Sequence, residues 1–490
     1  MNRRTFLKGC AGFAAMAAVR GFGITNLTFA KDLPAQNPSS KTNTPPPNGR
    51  DLLVFVFVRG GMDGLNVVVP FNTSAADRAS YYNDLRPTLG IPAPDSSAPR
   101  KAVALDEIGG ATRFALHPDA ARGSVGVNTP NPEGSDNGGL FKLFTDGELA
   151  IVHACGSLNV TGSHFDTQQY VDTGGTDYHS GWITRYLQAM NTPNDALIVA
   201  PQASVPQSLA QWYSALAIED PANFGGLWHP WHGYNDAVVA AQRSLLEPMF
   251  NRGTDYVEMQ GQTAFTAYDA LHTILSSSYM PSATYATADP LAPDGGTFGR
   301  SLQTIARLTK ASLPSNPLRV ACVDVGGGWD THDNEGTVDW GGNTRFPALV
   351  GMLSNNLKAF HDDLQADAAM RGHFTIVVLS EFGRVMYQNN SYGCDHGSGN
   401  PLFVIGSKNG AGVSNVNGGR VYANWPGLQH LGFNDGLQIT TDYRTVLADI
   451  LYNRMGASAN QINDTIFPGL GFSGGLGYTH ASLTGILQNV

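Results

Sequence analysis

The chain has 490 residues, with 30 Lys plus Arg against 40 Asp plus Glu, for a net charge of −10. That length excludes a peptide or small module and leaves room for one large domain with an insertion, while the acidic balance speaks against nucleic acid as a partner. Charged residues make up 14% of the chain and its 57 glycines about 12%, against roughly 25% and ~7% in average soluble proteins, which describes a loop-rich, weakly charged surface.

The first segment reads N-R-R-T-F-L-K from Asn2 to Lys8, then a mildly apolar, Ala- and Gly-rich stretch, then Thr28-Phe29-Ala30 as a small-x-small cleavage site. Residues 1–30 therefore read as a twin-arginine export signal, which predicts a periplasmic or secreted protein handled by the twin-arginine translocase. Cys10 precedes the apolar stretch instead of following it, and no later segment is long and apolar enough to span a bilayer, so no stable membrane anchor is expected. Residues 31–50 are rich in Pro, Asn and Ser and read as a flexible linker. Cys155, Cys322 and Cys394 remain after cleavage, too few for disulfides to hold the fold, and the first two lie in apolar runs that suit core residues.

From Asp51 onward, short apolar runs recur: LLVFVFV (52–58), LAIVHA (149–154), ALIVA (196–200), LRVACVDV (318–325), FTIVVLS (374–380) and LFVIG (402–406). Continuous instead of alternating hydrophobicity predicts strands covered on both faces, as in parallel sheets. Between them, Arg300 to Leu313, Leu349 to Met370 and Asp442 to Met455 carry apolar residues at helical spacing and read as crossover helices. The expected body, residues 51–490, is an α/β domain with a doubly wound, mostly parallel sheet, whose ligand site lies off the strand carboxyl ends. Residues 206–295 hold WHPWH and a helix-like stretch from Asp236 to Met249 without strand runs, and read as an inserted, largely helical cap.

Polar motifs fall at the ends of these strands. LLVFVFV runs into Arg59 to Asn66 (RGGMDGLN), LRVACVDV into Gly326 to Asp333 (GGGWDTHD), and FTIVVLS into Glu381 to Arg384 (EFGR), while Asp395-His396-Gly397 precedes LFVIG. Carboxylates and imidazoles on separate loops are what one or two divalent cations need. A fifth segment, Leu158 to Asp166, opens a predicted helix. There Ser163 or Thr161 would sit at a helix N-terminus, as an ordinary N-cap or as a hydroxyl where free N–H groups favour an anion or alkoxide. His229 and His232 read as packing in the cap, and His117, His153, His272, His361, His373 and His430 as structural. No formylglycine motif, G-x-S-x-G elbow or G-x-x-x-x-G-K loop is present.

With these motifs in hand, the chain resembles the bacterial family called domain of unknown function 1501 from Leu52 to Met455, through VRGGMDGLNVVVP, SHFDTQQY, GWITRYL, GGWDTHDN, SEFGR, CDHGSGN and TDYR. That family is grouped by similarity with the alkaline phosphatase and sulfatase superfamily. The resemblance implies an alkaline-phosphatase-like fold and a metal-dependent hydrolase of phosphate or sulfate esters, with zinc, calcium, magnesium or manganese as the cation. It implies that Asp63 is the first-strand metal ligand, Ser163 the nucleophile, Asp330 and His332 ligands of one site, Glu381 of the other, and His396 the late ligand. Glu381-Phe382 stands where the superfamily has Asp-His, so Asp395 could complete that second site. Arg384, with Arg59 or Asn66, would neutralise charge on the transferred group. The substrate would be a small-molecule or glycan ester. The alternative is a non-catalytic exported binding or scaffold protein on the same fold.

Overall fold

The run LLVFVFV forms strand β1 (Leu52–Val58), and all seven residues are buried because the strand has a core on each side. Leu52, Val54, Val56 and Val58 point into one core, and Leu53, Phe55 and Phe57 into the other. Two-sided burial is why the run is continuously apolar. The computed structural model describes residues 51–473 and Ile486, apart from short stretches, chiefly 78–81, 122–137, 193–196, 219–235, 287–295, 313–316 and 337–344, and scattered positions within 254–277. The export signal, the linker and the WHPWH segment lie outside the described residues.

The other strands are β2 (Val68–Pro70), β3 (Val103–Ala104), β4 (Phe114–Leu116), β5 (Leu149–Gly156), β6 (Ile198–Ala200), β7 (Leu216–Ala217), β8 (Val320–Val325), β9 (Phe374–Ser380), β10 (Asn400–Ile405), β11 (Arg420–Tyr422) and β12 (Thr441–Asp442). The central sheet has the order β11-β5-β10-β9-β1-β8-β6-β7, with β12 also pairing β5. Its pairings are parallel except those of β10, which runs antiparallel to both β5 and β9. Helices Thr297–Ala311 and Arg345–Ala366 supply the core on one face, and Trp182–Ala189 and Tyr443–Asn453 the core on the other. The architecture is thus mixed α/β with a largely parallel sheet. A small antiparallel sheet, β2-β4-β3, was not expected from the sequence, since strands of two or three residues leave no periodic signal. Asp236–Phe250 is helical, as its composition predicts. Among the described residues no helix is long and apolar enough to cross a membrane. Cys155, Cys322 and Cys394 are buried and free.

The register places the functional edge. Val58 pairs with Val325 of β8 and with Ser380 of β9, so the segments leaving all three strands emerge side by side. Because β10 runs the other way, its entry residue Asn400 lies at that same edge, opposite Cys155 near the end of β5. Loops far apart in sequence, after β1, β5, β8 and β9 and before β10, therefore share one end of the sheet.

Candidate metal centre

Three imidazoles and one carboxylate meet at this edge. Oδ1 of Asp330 lies 3.3, 3.2 and 3.3 Å from the Nε2 atoms of His164, His332 and His396, and the Nε2 atoms of His332 and His396 lie 2.7 Å apart. Asp330 and His332 come from the loop after β8, and His396 from the segment that enters β10. His164 opens the helix His164–Thr173, which starts there because Ser163 caps it, its Oγ accepting from Asp166 N at 3.3 Å. Gly60 keeps the first two loops in contact: its φ is +127°, and a Cβ there would come within 2.9 Å of Asp330 N.

The outer nitrogens decide what the inner ones offer. His164 Nδ1 bonds Glu381 Oε1, His332 Nδ1 bonds Asp395 Oδ1, and His396 Nδ1 bonds the Gly162 carbonyl, each at 2.7 Å. These partners only accept, so each Nδ1 donates, and a ring in its neutral form turns a lone pair on Nε2 inward. Three Nε2 atoms therefore crowd one carboxylate oxygen, which also accepts an N–H from Arg384 at 2.8 Å. Ligand histidines fixed through their other nitrogen by carboxylates or carbonyls have this arrangement, so His164, Asp330 and His396 are placed to hold a divalent cation, with His332 beside them.

Electrostatics point the same way. Burial opposes ionisation of Asp330, but hydrogen bonds from His164, His396 and Arg384 hold its carboxyl well below the usual range. Hydrogen bonds to Asp330 and Glu381 raise His164 to about 9. The hydrogen bond from His332 lowers Asp395. A site that holds two carboxylates ionised and draws a proton onto an imidazole is one that attracts positive charge.

Residues 151–453 match the model of a family described as a protein of unknown function, DUF1501. The chain belongs to this DUF1501 family. No curated protein matches it. His164, Asp330, His332 and His396 all lie within the DUF1501 segment, whereas Arg59, Asp63 and Asn66 precede it.

The remaining sequence candidates surround this DUF1501 cluster without facing its centre. Glu381 is buried behind His164, where its Oε1 also accepts from Gly60 N at 2.9 Å and Gln168 Nε2 at 2.7 Å. Against burial, the His164 and Gln168 bonds lower its pKa. Asp63 does not join the cluster: both its oxygens are held by the Arg86 guanidinium, at 2.6 and 3.2 Å, in a fully buried ion pair. Asn66 lies beside it, accepting from Tyr82 Oη at 2.6 Å and donating to Leu89 O and Glu335 Oε1. Asp63, Glu335 and Cys394 are close enough to hold an ion, but Arg86 already supplies the positive charge there. Burial and then Asp63 push Glu335 well above its usual range. Glu335 in turn accepts from Thr331, between Asp330 and His332, so this buried network braces the ligand loop from below. Arg384 is buried and donates to the carbonyls of Gly60, Gly61, Trp329 and Cys394 as well as to Asp330. Arg59 is clamped by Asp172 and Asp324 at 3.0 and 2.8 Å.

His164 is the member of the cluster that the sequence reading passed over. Its signal was present: it is the first residue of the predicted helix, adjacent to the serine that the dipole argument selected.

Proposed function

We propose that the chain is an exported hydrolase of phosphate or sulfate esters that works with a divalent cation on His164, Asp330, His332 and His396. The observation that supports this reading is the convergence of three imidazole Nε2 atoms on one carboxylate oxygen, each ring fixed from behind by an acceptor. A cation bound there supplies Lewis acidity, polarising an ester oxygen and acidifying a hydroxyl or water. Glu381, Asp395 and Gly162 O hold the ring tautomers, and Arg384 holds Asp330 in place. Ser163 is assigned as nucleophile: it adjoins His164 at a helix N-terminus, where dipole and free N–H groups favour negative charge, and its cap bond uses Oγ only as an acceptor. An alkaline-phosphatase-like ancestry and export by the twin-arginine route belong to the same proposal, the latter carried by Arg3, Arg4 and the small-x-small site.

One observation favours a second reading, a non-catalytic exported binding or scaffold protein. Neither arginine proposed to meet the transferred anion is free, Arg384 being buried among carbonyls and Arg59 clamped by two aspartates. The test is hydrolysis of aryl phosphate and aryl sulfate by the mature chain, prepared without chelator, beside its Ser163→Ala and His396→Ala variants. The expected outcome is turnover of one ester, lowered roughly 10³-fold or more in both variants. Bound metal without cleavage of either ester moves the weight to the binding reading, and full turnover by Ser163→Ala removes the serine from the nucleophile's role.

A further inference from the structure

We infer that the centre selects a single borderline transition ion of the zinc class over magnesium and calcium, and that Gln168 is a positioning residue that enforces this choice. The inference rests on the cation-binding reading of the cluster. Magnesium and calcium take oxygen ligands, six or more of them counting waters, whereas imidazole nitrogen suits zinc and its neighbours. The cluster offers three imidazole nitrogens and one oxygen. The nearby carboxylates that could change this balance are committed elsewhere: Glu381 to His164 Nδ1, Asp395 to His332 Nδ1, and Asp63 to Arg86. A hard cation thus finds one carboxylate where it needs several.

Gln168 sits one turn beyond His164 on the helix His164–Thr173. Its Nε2 donates to Glu381 Oε1 at 2.7 Å, and its Oε1 accepts from Arg59 Nη1 at 3.3 Å. Arg59 can only donate and an ionised Glu381 only accept, so the pair fixes which way the amide faces. Arg59 is itself immobilised by Asp172 and Asp324. The chain of contacts runs from those aspartates through Arg59, Gln168 and Glu381 to His164 Nδ1, and it holds the His164 lone pair on the inner side. Loss of Gln168 removes one of the three bonds on Glu381 Oε1, leaving those from Gly60 N and His164 Nδ1, so the carboxylate holds His164 less firmly and the nitrogen-rich selection weakens.

The test uses the mature full-length chain, stripped with chelator and dialysed, and titrated calorimetrically with Zn²⁺, Co²⁺, Mg²⁺ or Ca²⁺ alone. Wild type is expected to bind one Zn²⁺ per chain at least about 10³-fold more tightly than Mg²⁺ or Ca²⁺, and His164→Ala to lose most of that preference. Gln168→Leu is expected to weaken Zn²⁺ roughly tenfold, narrow the gap to Ca²⁺, and leave the melting temperature of the metal-free protein where it was. Glu381→Gln reads the same coupling should Gln168→Leu fold poorly, with the same direction expected. Tighter binding of Mg²⁺ or Ca²⁺ than Zn²⁺ overturns the zinc-class assignment, as does Zn²⁺ binding unchanged in His164→Ala. Wild-type Zn²⁺ affinity and selectivity in Gln168→Leu and Glu381→Gln overturn the positioning role and leave the centre standing. No ion bound by wild type overturns the cation-binding reading itself.

Discussion

On the proposed reading a proton and a cation compete for His164 Nε2, and its position between Asp330 and Glu381 sets the terms. Hydrogen bonds to those two carboxylates raise it to about 9 from an ordinary 6.5. A divalent ion entering at neutral pH must therefore displace that proton, so apparent affinity should rise about tenfold per pH unit and level off near the pKa. Calorimetry in buffers of different ionisation enthalpy should count close to one proton released on Zn²⁺ binding at pH 7 and close to none at pH 10. Equal release at both pH values would remove His164 from the ligand set. At this scale the sequence was half legible. Asp330, His332 and His396 stood out because Asp and His after strand-length apolar runs are chemically suggestive, and the structure brings them together. Asp63 and Asn66 looked the same by that criterion, yet they point beneath the loops, since spacing after a strand does not say to which side a side chain turns. The partner that claims Asp63, Arg86, lies 23 residues on in a segment without any motif.

Elements transmit the site's geometry through that buried layer. Arg86 joins Asp63 to the carbonyls of Val385 and Met386, while Asp63's neighbour Glu335 holds Thr331 of the ligand loop. Removing one partner of a buried pair strands a charge, which typically costs about 3–5 kcal/mol. Arg86→Met should therefore lower the free energy of unfolding by an amount in that range, and Asp63→Asn by less, because the asparagine still accepts from the guanidinium. A surface-like loss under about 0.5 kcal/mol for Arg86→Met would show that the pair does not brace the loops. The strands themselves were easier to read than the polar layer. Two-faced burial leaves continuous apolar runs such as LLVFVFV and FTIVVLS, and these are β1 and β9. Strand direction was not readable, since an apolar run has the same pattern both ways, and the reversal of β10 is what delivers His396 to the edge where β8 and β5 deliver the others.

For the whole molecule, the cluster joins three parts of the chain at residues 164, 330–332 and 396, so it exists only when the sheet is assembled. An ion that binds the native chain alone stabilises it by mass action, about 4 kcal/mol at a thousandfold excess over Kd. Unfolding entropy of about 2 cal/mol/K per residue, taken over several hundred folded residues, makes each kcal/mol worth on the order of 1 °C. Zn²⁺ at that excess should therefore raise Tm by about 4 °C, and chelator should reverse the shift. The net charge of −10 supplies a competing cause, because cations gather loosely around an acidic surface at low ionic strength. At about 0.15 M salt that contribution is screened beyond ~8 Å, whereas a ligand set in direct contact with the ion is not. The decisive comparison is Zn²⁺ against the same concentration of Mg²⁺ in wild type and in His164→Ala. Diffuse attraction treats the two ions and the two proteins alike. A shift confined to Zn²⁺ on the wild-type chain would tie the stabilisation to the imidazole cluster, and an equal shift in His164→Ala would assign it to the acidic surface.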